Sequence, residues 1–241
     1  TKPQNENLFA PLGFYPVAKT DTVLLMENRK AGISQYKDRL KHETGQKKGD
    51  PVGAVVANCN PFTKGHRYLI ETAASQCGLL HLFILTDGKV SLKERMALVK
   101  QGTQHIPNLV IHETGDYLVS RISFPDYFIK EAITEAWYDL DIAVFCTHIV
   151  PTLGITKRFV GTEPTCAVTS GYNKALKEKL PQQGVEIIEI PRLTINHTPV
   201  SASEVRRYLQ EGQPEKAEPL VVEETLETIK KIYAFKREED L

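Results

Sequence analysis

The sequence predicts an α/β protein built on a Rossmann-like, doubly wound parallel sheet. From Val52 onward, continuous apolar runs of strand length recur, and segments with helical periodicity separate them. Strands buried on both faces read as unbroken hydrophobic runs, and helices are the usual links between parallel strands. Hydrophobic residues at 41% and charged residues at 25% supply enough apolar surface for such a core without suggesting a membrane protein or a disordered chain.

The predicted strands are 52–57 (VGAVVA), 79–86 (LLHLFILT), 108–113 (NLVIHE), 142–146 (IAVFC), 157–161 (KRFVG) and 185–190 (VEIIEI). Helices are predicted over 65–77, 91–104, about 125–137, 168–180 and 201–210. In the first of these, Leu69, Ile70, Ala73, Ala74 and Cys77 form one stripe, the spacing of a helix laid on a sheet. The tail from Val221 reads as a surface helix that ends in charge. Upstream, residues 1–43 hold a short apolar piece and the helix-like ISQYKDRLKH, too little for a core of their own. Residues 44–51 are polar, Gly- and Lys-rich and closed by Pro51, which reads as a linker to the main domain, 52–241.

Several function classes are excluded early. Thirty basic residues balance thirty acidic ones, so neither nucleic acid nor an anionic membrane is an expected partner. No apolar run approaches the roughly 18 residues of a membrane span, and the first residues lack the layout of a signal peptide. Cys59, Cys77, Cys146 and Cys166 fall singly, as reduced thiols of a cytoplasmic protein do. The seven histidines also lack ligand spacing, and no protein-held metal is expected.

In a doubly wound sheet the first strand-to-helix turn is the usual phosphate site. Here that turn is NCNPFTKGH, residues 58–66. Asn60 precedes Pro61 and is biased to an extended conformation, so Thr63 is the natural N-cap, with Lys64, Gly65 and His66 as the first helical turn. Free amides and a partial positive charge favour phosphate there, and Gly65 lets a ligand approach the backbone. Thr63 and His66, three apart, can face one side. The plainer alternative, a cap and a first-turn residue with no ligand, stays open at this point. A second turn, PVSASEVRRYL, repeats the theme: Ser201 and Glu204 predict a capping box, Val200 and Val205 its hydrophobic staple, and Arg206 lies where it can reach back over the helix start. Neither G-x-G-x-x-G nor a Walker A motif is present.

Thr63-Lys64-Gly65-His66 together with Val200-Ser201-Ala202-Ser203 through Arg206 resembles the T/H-x-G-H and I/V-S-x-[ST]-x-x-R pair of the nucleotidylyltransferase superfamily. Over nearly the whole chain, NCNPFTKGHRYLIE, RFVGTEPTCAVTSGYNKAL, EIIEIPR and VSASEVR are similar to the citrate lyase ligase family. The resemblance implies an ATP-dependent acid–thiol ligase: acetate and ATP give acetyl-AMP and pyrophosphate. The acetyl group then passes to the thiol of the phosphoribosyl-dephospho-coenzyme A on citrate lyase's acyl carrier subunit. It further implies His66 on the α-phosphate, Thr63 and Lys64 on the α- and β-phosphates, and Arg206 with the amides behind Ser201 and Ser203 on the β- and γ-phosphates. Asn60, Phe62, Gly65, Gly161 and Glu163 would lie near the nucleotide, and Mg²⁺ would arrive with ATP. Asn58 and Asn60 could equally fix the loop by Asx-type bonds, and the Gly161–Pro164 turn could be structural. Tyr172 and Asn173 are weaker candidates, and Cys59 has no evident base. Residues 8–40 resemble the final portion of the family's N-terminal acetyltransferase-like domain. Arg121 and Ile122 replace expected small residues, and Lys64 stands where an apolar residue is common. Two alternatives are a nucleotidylyltransferase joining AMP to a phosphorylated metabolite such as a pantetheine or nicotinamide precursor, and a non-catalytic nucleotide-binding module.

Overall fold

The computed structural model describes residues 1–86, 91–118, 134–164 and 166–228. The first half comprises α1 (Glu6–Phe9), β1 (Tyr15–Lys19), β2 (Leu24–Glu27), α2 (Gly32–Thr44), β3 (Val52–Ala57), α3 (Lys64–Ala74), β4 (Leu79–Ile84), α4 (Leu92–Gly102) and β5 (Leu109–Glu113). The second half comprises α5 (Thr134–Val144), a π-helical turn (Phe145–Ile149), α6 (Val150–Leu153), β6 (Lys157–Gly161), α7 (Ala167–Lys179) and β7 (Glu186–Ile190). It closes with β8 (Thr194–Ile195), β9 (Thr198–Pro199), α8 (Ala202–Gln210) and α9 (Pro214–Ala217).

The central sheet has the order β5-β4-β3-β6-β7 and is parallel throughout. Chain direction across the sheet reverses between β3 and β6. With right-handed crossovers, such a reversal places the helices of the two halves on opposite faces. They are so placed. Ile70, Ala73, Leu98 and Val99 of α3 and α4 pack with Val55, Leu82 and Phe159 on one face. Leu140, Ile142 and Leu176 of α5 and α7 pack with Ala54, Phe83 and Val160 on the other. Adjacent strand residues therefore enter different cores, which is why these strands carry no polar alternation.

The stretch 142–146, expected as a strand, is instead the end of α5 and the start of the π-helical turn. A short apolar run looks the same whether it is a buried strand or a buried helix. Here Ile142, Val144, Phe145 and Ile149 are all buried in one core, and Gly154, at a φ of 69°, stops the helical segment. Most of the helix expected at 125–137, Arg121 and Ile122, and the tail beyond residue 228 lie outside the described residues; residues 223–228 are helical.

Residues 1–43 form a β1–β2 hairpin and α2, and they have no separate core. Val17, Ala18, Tyr36 and Leu40 join the cluster that contains Phe83 and Leu140. Polar contacts fix the docking: His148 Nε2 lies 2.6 Å from the Val17 carbonyl, and Tyr36 donates to the Glu113 carbonyl at 3.1 Å. The linker is packed too. Lys47 donates to the carbonyls of Pro107 and Leu109, and Gly49 lies so close to Gly78 that a Cβ there would come within 2.2 Å of its backbone.

Candidate active site

The reversal between β3 and β6 opens a cleft of about 480 Å³ beyond the carboxyl ends of the strands. Four segments meet there: the β3–α3 loop, the end of β6 at Gly161–Glu163, the end of β7 at Ile190–Arg192, and the start of α8 at Ser201–Ser203.

The β3–α3 loop is held from beneath. Arg95 is fully buried on α4, where its Nη1 donates to the Asn58 carbonyl, the Asn58 side-chain oxygen and the Leu85 carbonyl, and Nη2 donates to the Thr86 carbonyl. One guanidinium thus gathers the outgoing ends of β3 and β4. Cys59 is fully buried, and burial pushes its thiol up to about 12, far from any nucleophile's range. Phe62, expected near the nucleotide, is also fully buried and packs against Gly102, where a Cβ would clash at 2.6 Å. Its ring anchors the loop from the core side and cannot reach the cleft.

Thr63 caps α3, and the pair it forms with His66 is reciprocal. The His66 amide donates to Thr63 Oγ1 at 3.3 Å, and the Thr63 amide donates to His66 Nδ1 at 3.1 Å. This is a capping box in which histidine takes the place usual for Glu or Gln. Because Nδ1 accepts, a neutral ring carries its proton on Nε2. The ring is neutral: burial, then the charges of Arg192 and Arg206, pull its pKa down to about 4. His66 lines the cleft as an uncharged donor of fixed tautomer.

The second turn departs from expectation in an informative way. Ser201 caps α8 by accepting from the Ser203 amide at 3.2 Å, but Glu204 is bound to Arg207, so no capping box forms. Arg206 does reach back, and farther than its own helix. Nη2 donates to Ser203 Oγ at 3.0 Å, and Nη1 donates to the Asn60 carbonyl. The same side chain therefore locks the second helix start to the first loop. Gly65 serves that approach as well: a Cβ there would stand 3.3 Å from the Val200 carbonyl, so glycine lets the two turns close together.

Lys64 is held by a neighbouring segment. Its ammonium donates to the Pro219 carbonyl at 2.8 Å, and it is absent from the lining of the cleft. At the first helical position its side chain runs to the segment whose Val221 pairs with Thr63.

On the far wall, Glu163 pairs with Arg192 and accepts from the Cys166 amide at 3.1 Å. The Gly161 carbonyl accepts from Asn173 at 3.0 Å, and a Cβ on Gly161 would meet open space. Gly161 and Glu163 are thus at the cleft, as are Ser201 and Ser203. Arg95, Arg192 and Arg158 went unassigned in the sequence reading. Arg95 had a signal: it shares the buried helical phase of Leu98, Val99 and Gly102, where an arginine needs a reason.

Known proteins are similar to this chain in sequence. The citrate lyase ligase C-terminal domain matches residues 52–229. The [citrate [pro-3S]-lyase] ligase of Escherichia coli K12 is 37% identical over 99% of this chain and 70% of its own length. That of Klebsiella pneumoniae is 39% identical over 94% of this chain and 68% of its own length. A solved structure of Thermotoga maritima TmcAL bound with alpha-thio ATP aligns at 12% identity over 75% of this chain and 55% of that one, with a TM-score of 0.44. The matched domain spans the sheet and every wall of the cleft, and with such relatives along nearly its whole length the chain belongs to the citrate lyase ligase family.

Proposed function

We infer that the chain activates acetate with ATP and passes the acetyl group to the thiol of the citrate lyase acyl carrier subunit. The observation that carries this reading is the joining of two helix starts by Arg206 beside one cleft, which His66, Ser201 and Ser203 line. Free amides, Arg206 and Arg192 form a cradle for the anionic triphosphate of ATP.

Adenylation needs charge stabilisation at the α-phosphate more than covalent chemistry from the protein. An acetate oxygen attacks the α-phosphorus, the bond from that phosphorus to the α,β-bridging oxygen breaks, and pyrophosphate leaves with the bond's electron pair. His66 Nε2–H donates to the non-bridging α-oxygen as charge grows there, with Thr63 holding the ring. Arg206 and the amides at Ser201 and Ser203 hold the β- and γ-phosphates. The Gly161 edge, free of side chain, leaves room beside the nucleotide. In the second step the carrier's thiol attacks the acetyl carbon, loses its proton, and AMP departs. Among the described residues no three His, Cys, Asp or Glu side chains cluster as a metal cage requires. Mg²⁺, which favours phosphate and water ligands, would enter with ATP. Residues 1–43 are read as the end of an acetyltransferase-like domain that docks on the catalytic domain, and the protein as cytoplasmic.

The test is transfer of label from radioactive acetate to deacetylated citrate lyase in the presence of ATP. Label on the acyl carrier subunit supports the reading. Label that stays in solution as acetyl-AMP, with none on the carrier, removes the partner.

A further inference from the structure

Arg158 is the least explained side chain of the cleft. It lies on β6, is 3% exposed, and its Nε and Nη1 are buried with no hydrogen-bond acceptor among the described residues. Burial pulls its pKa below the usual arginine value, yet a guanidinium keeps its charge in proteins. Part of its environment is structural: the guanidinium carbon stands 5.0 Å over the Phe145 ring. The carboxylate that acts on it, Asp141, accepts a hydrogen bond from the Tyr172 hydroxyl. Neither contact supplies acceptors for Nε and Nη1.

The surroundings say what is missing. Arg158 and Val160 point to the same face of the sheet, and both line the cleft, with Tyr138 and Tyr172 opposite. Tyr138 is fixed by donating to the Val168 carbonyl at 2.6 Å. Arg158 lines the cleft one strand pleat below Val160, beside that apolar side chain and the two tyrosines, with Nε and Nη1 buried beneath the lining. A buried guanidinium with two donors that no described residue accepts from matches a carboxylate in charge and in geometry, and Val160 and the two tyrosines suit a short alkyl group. It lies on the opposite sheet face from α3, so a ligand there approaches the first loop from the other side.

We propose that Arg158 is the carboxylate receptor of the acyl donor: it binds a small monocarboxylate and sets its chain length through Val160 and the two tyrosines. This rests on the acyl-adenylating reading above and adds the donor's site to it. The test pairs kinetics with direct binding. Arg158→Gln and Arg158→Lys are assayed by pyrophosphate exchange and by saturation-transfer NMR of acetate with the ATP-free protein. The expected result is a rise of about 10- to 100-fold in the acetate KM of Arg158→Gln. Arg158→Lys should be partly rescued, and the KM for ATP and the melting temperature should stay near wild type. Unchanged acetate KM in folded variants overturns the proposal while leaving the adenylation reading intact. Arg158-dependent acetate binding without any exchange does the reverse. Should both variants unfold, Val160→Leu decides: it narrows the cleft beside Arg158, and an unchanged acetate KM overturns the assignment.

Discussion

Replacing His66 by Gln and, separately, by Ala divides the two tasks that the structure gives this side chain. His66 Nδ1 accepts the Thr63 amide at 3.1 Å, and Nε2 faces the cleft. Ala removes both. The half-buried Thr63 amide then lacks its acceptor, at a cost of about 1 kcal/mol. For a chain of this size that lowers the melting temperature by ~2–4 °C. Loss of the preorganised donor should lower the adenylation rate by roughly 10²- to 10³-fold. Gln is the ordinary partner in a capping box, so it should restore the melting temperature to near wild type. Its amide cannot satisfy the Thr63 amide and also place a donor at the Nε2 position, so the rate should stay low. ATP affinity should change little in either variant, since the contact strengthens as α-phosphate charge develops. Differential scanning calorimetry and pyrophosphate exchange on the three proteins read both quantities. A Gln variant that recovers rate along with stability would reduce His66 to a helix cap.

Arg206→Lys should weaken ATP and also lower the melting temperature, because a single ammonium cannot span Ser203 and the Asn60 carbonyl; a purely kinetic effect would contradict the bridge. Gly161→Ala should fold normally, since its Cβ meets open space, yet raise the KM for ATP; an unchanged KM would remove that edge from the nucleotide site. Acid should destabilise the protein between about pH 6.5 and pH 3. His81 is fully buried and neutral, its pKa pulled down to about 3 by burial and then by His112, whereas an unfolded histidine takes up a proton near pH 6.5. The unfolded state binds more protons in that window, so stability falls with pH at up to ~1.4 kcal/mol per unit. Urea midpoints from pH 7 to pH 5 check it, and His81→Gln should flatten the slope.

The edge strand β7, with Glu186 and Glu189 exposed, was legible from its three isoleucines; the inner strands β3, β4 and β6 were legible because they are buried on both sides and so read as apolar runs. The run at 142–146 failed for the same reason: an apolar pentamer buried all round carries no period. The β8–β9 hairpin went unseen, since its turn is Asn196-His197, both at positive φ, in place of the Asn-Gly that usually marks such a turn. The helix starts that carry Thr63, His66, Ser201 and Arg206 were legible because capping chemistry is local. Phe62 and Lys64 were not, because the flank on which a loop side chain falls is decided by what packs behind it, here Gly102 and the Pro219 segment. No capping box forms at Ser201–Glu204 because Arg207, three residues on, pairs with Glu204, while a box the sequence did not announce forms at Thr63–His66. Arg158 and Arg192 draw their meaning from the strands beside them, which no local pattern shows.

Acetate-dependent exchange of labelled pyrophosphate into ATP, measured on this chain alone, tests the central claim most directly. Every element proposed to hold phosphate lies within residues 58–206, so the exchange is expected to need no partner. Exchange is expected with acetate, and none when a phosphopantetheine-type or nicotinamide mononucleotide acceptor replaces it. Exchange with such a phosphorylated acceptor, and none with acetate, would contradict it and make the protein a nucleotidylyltransferase.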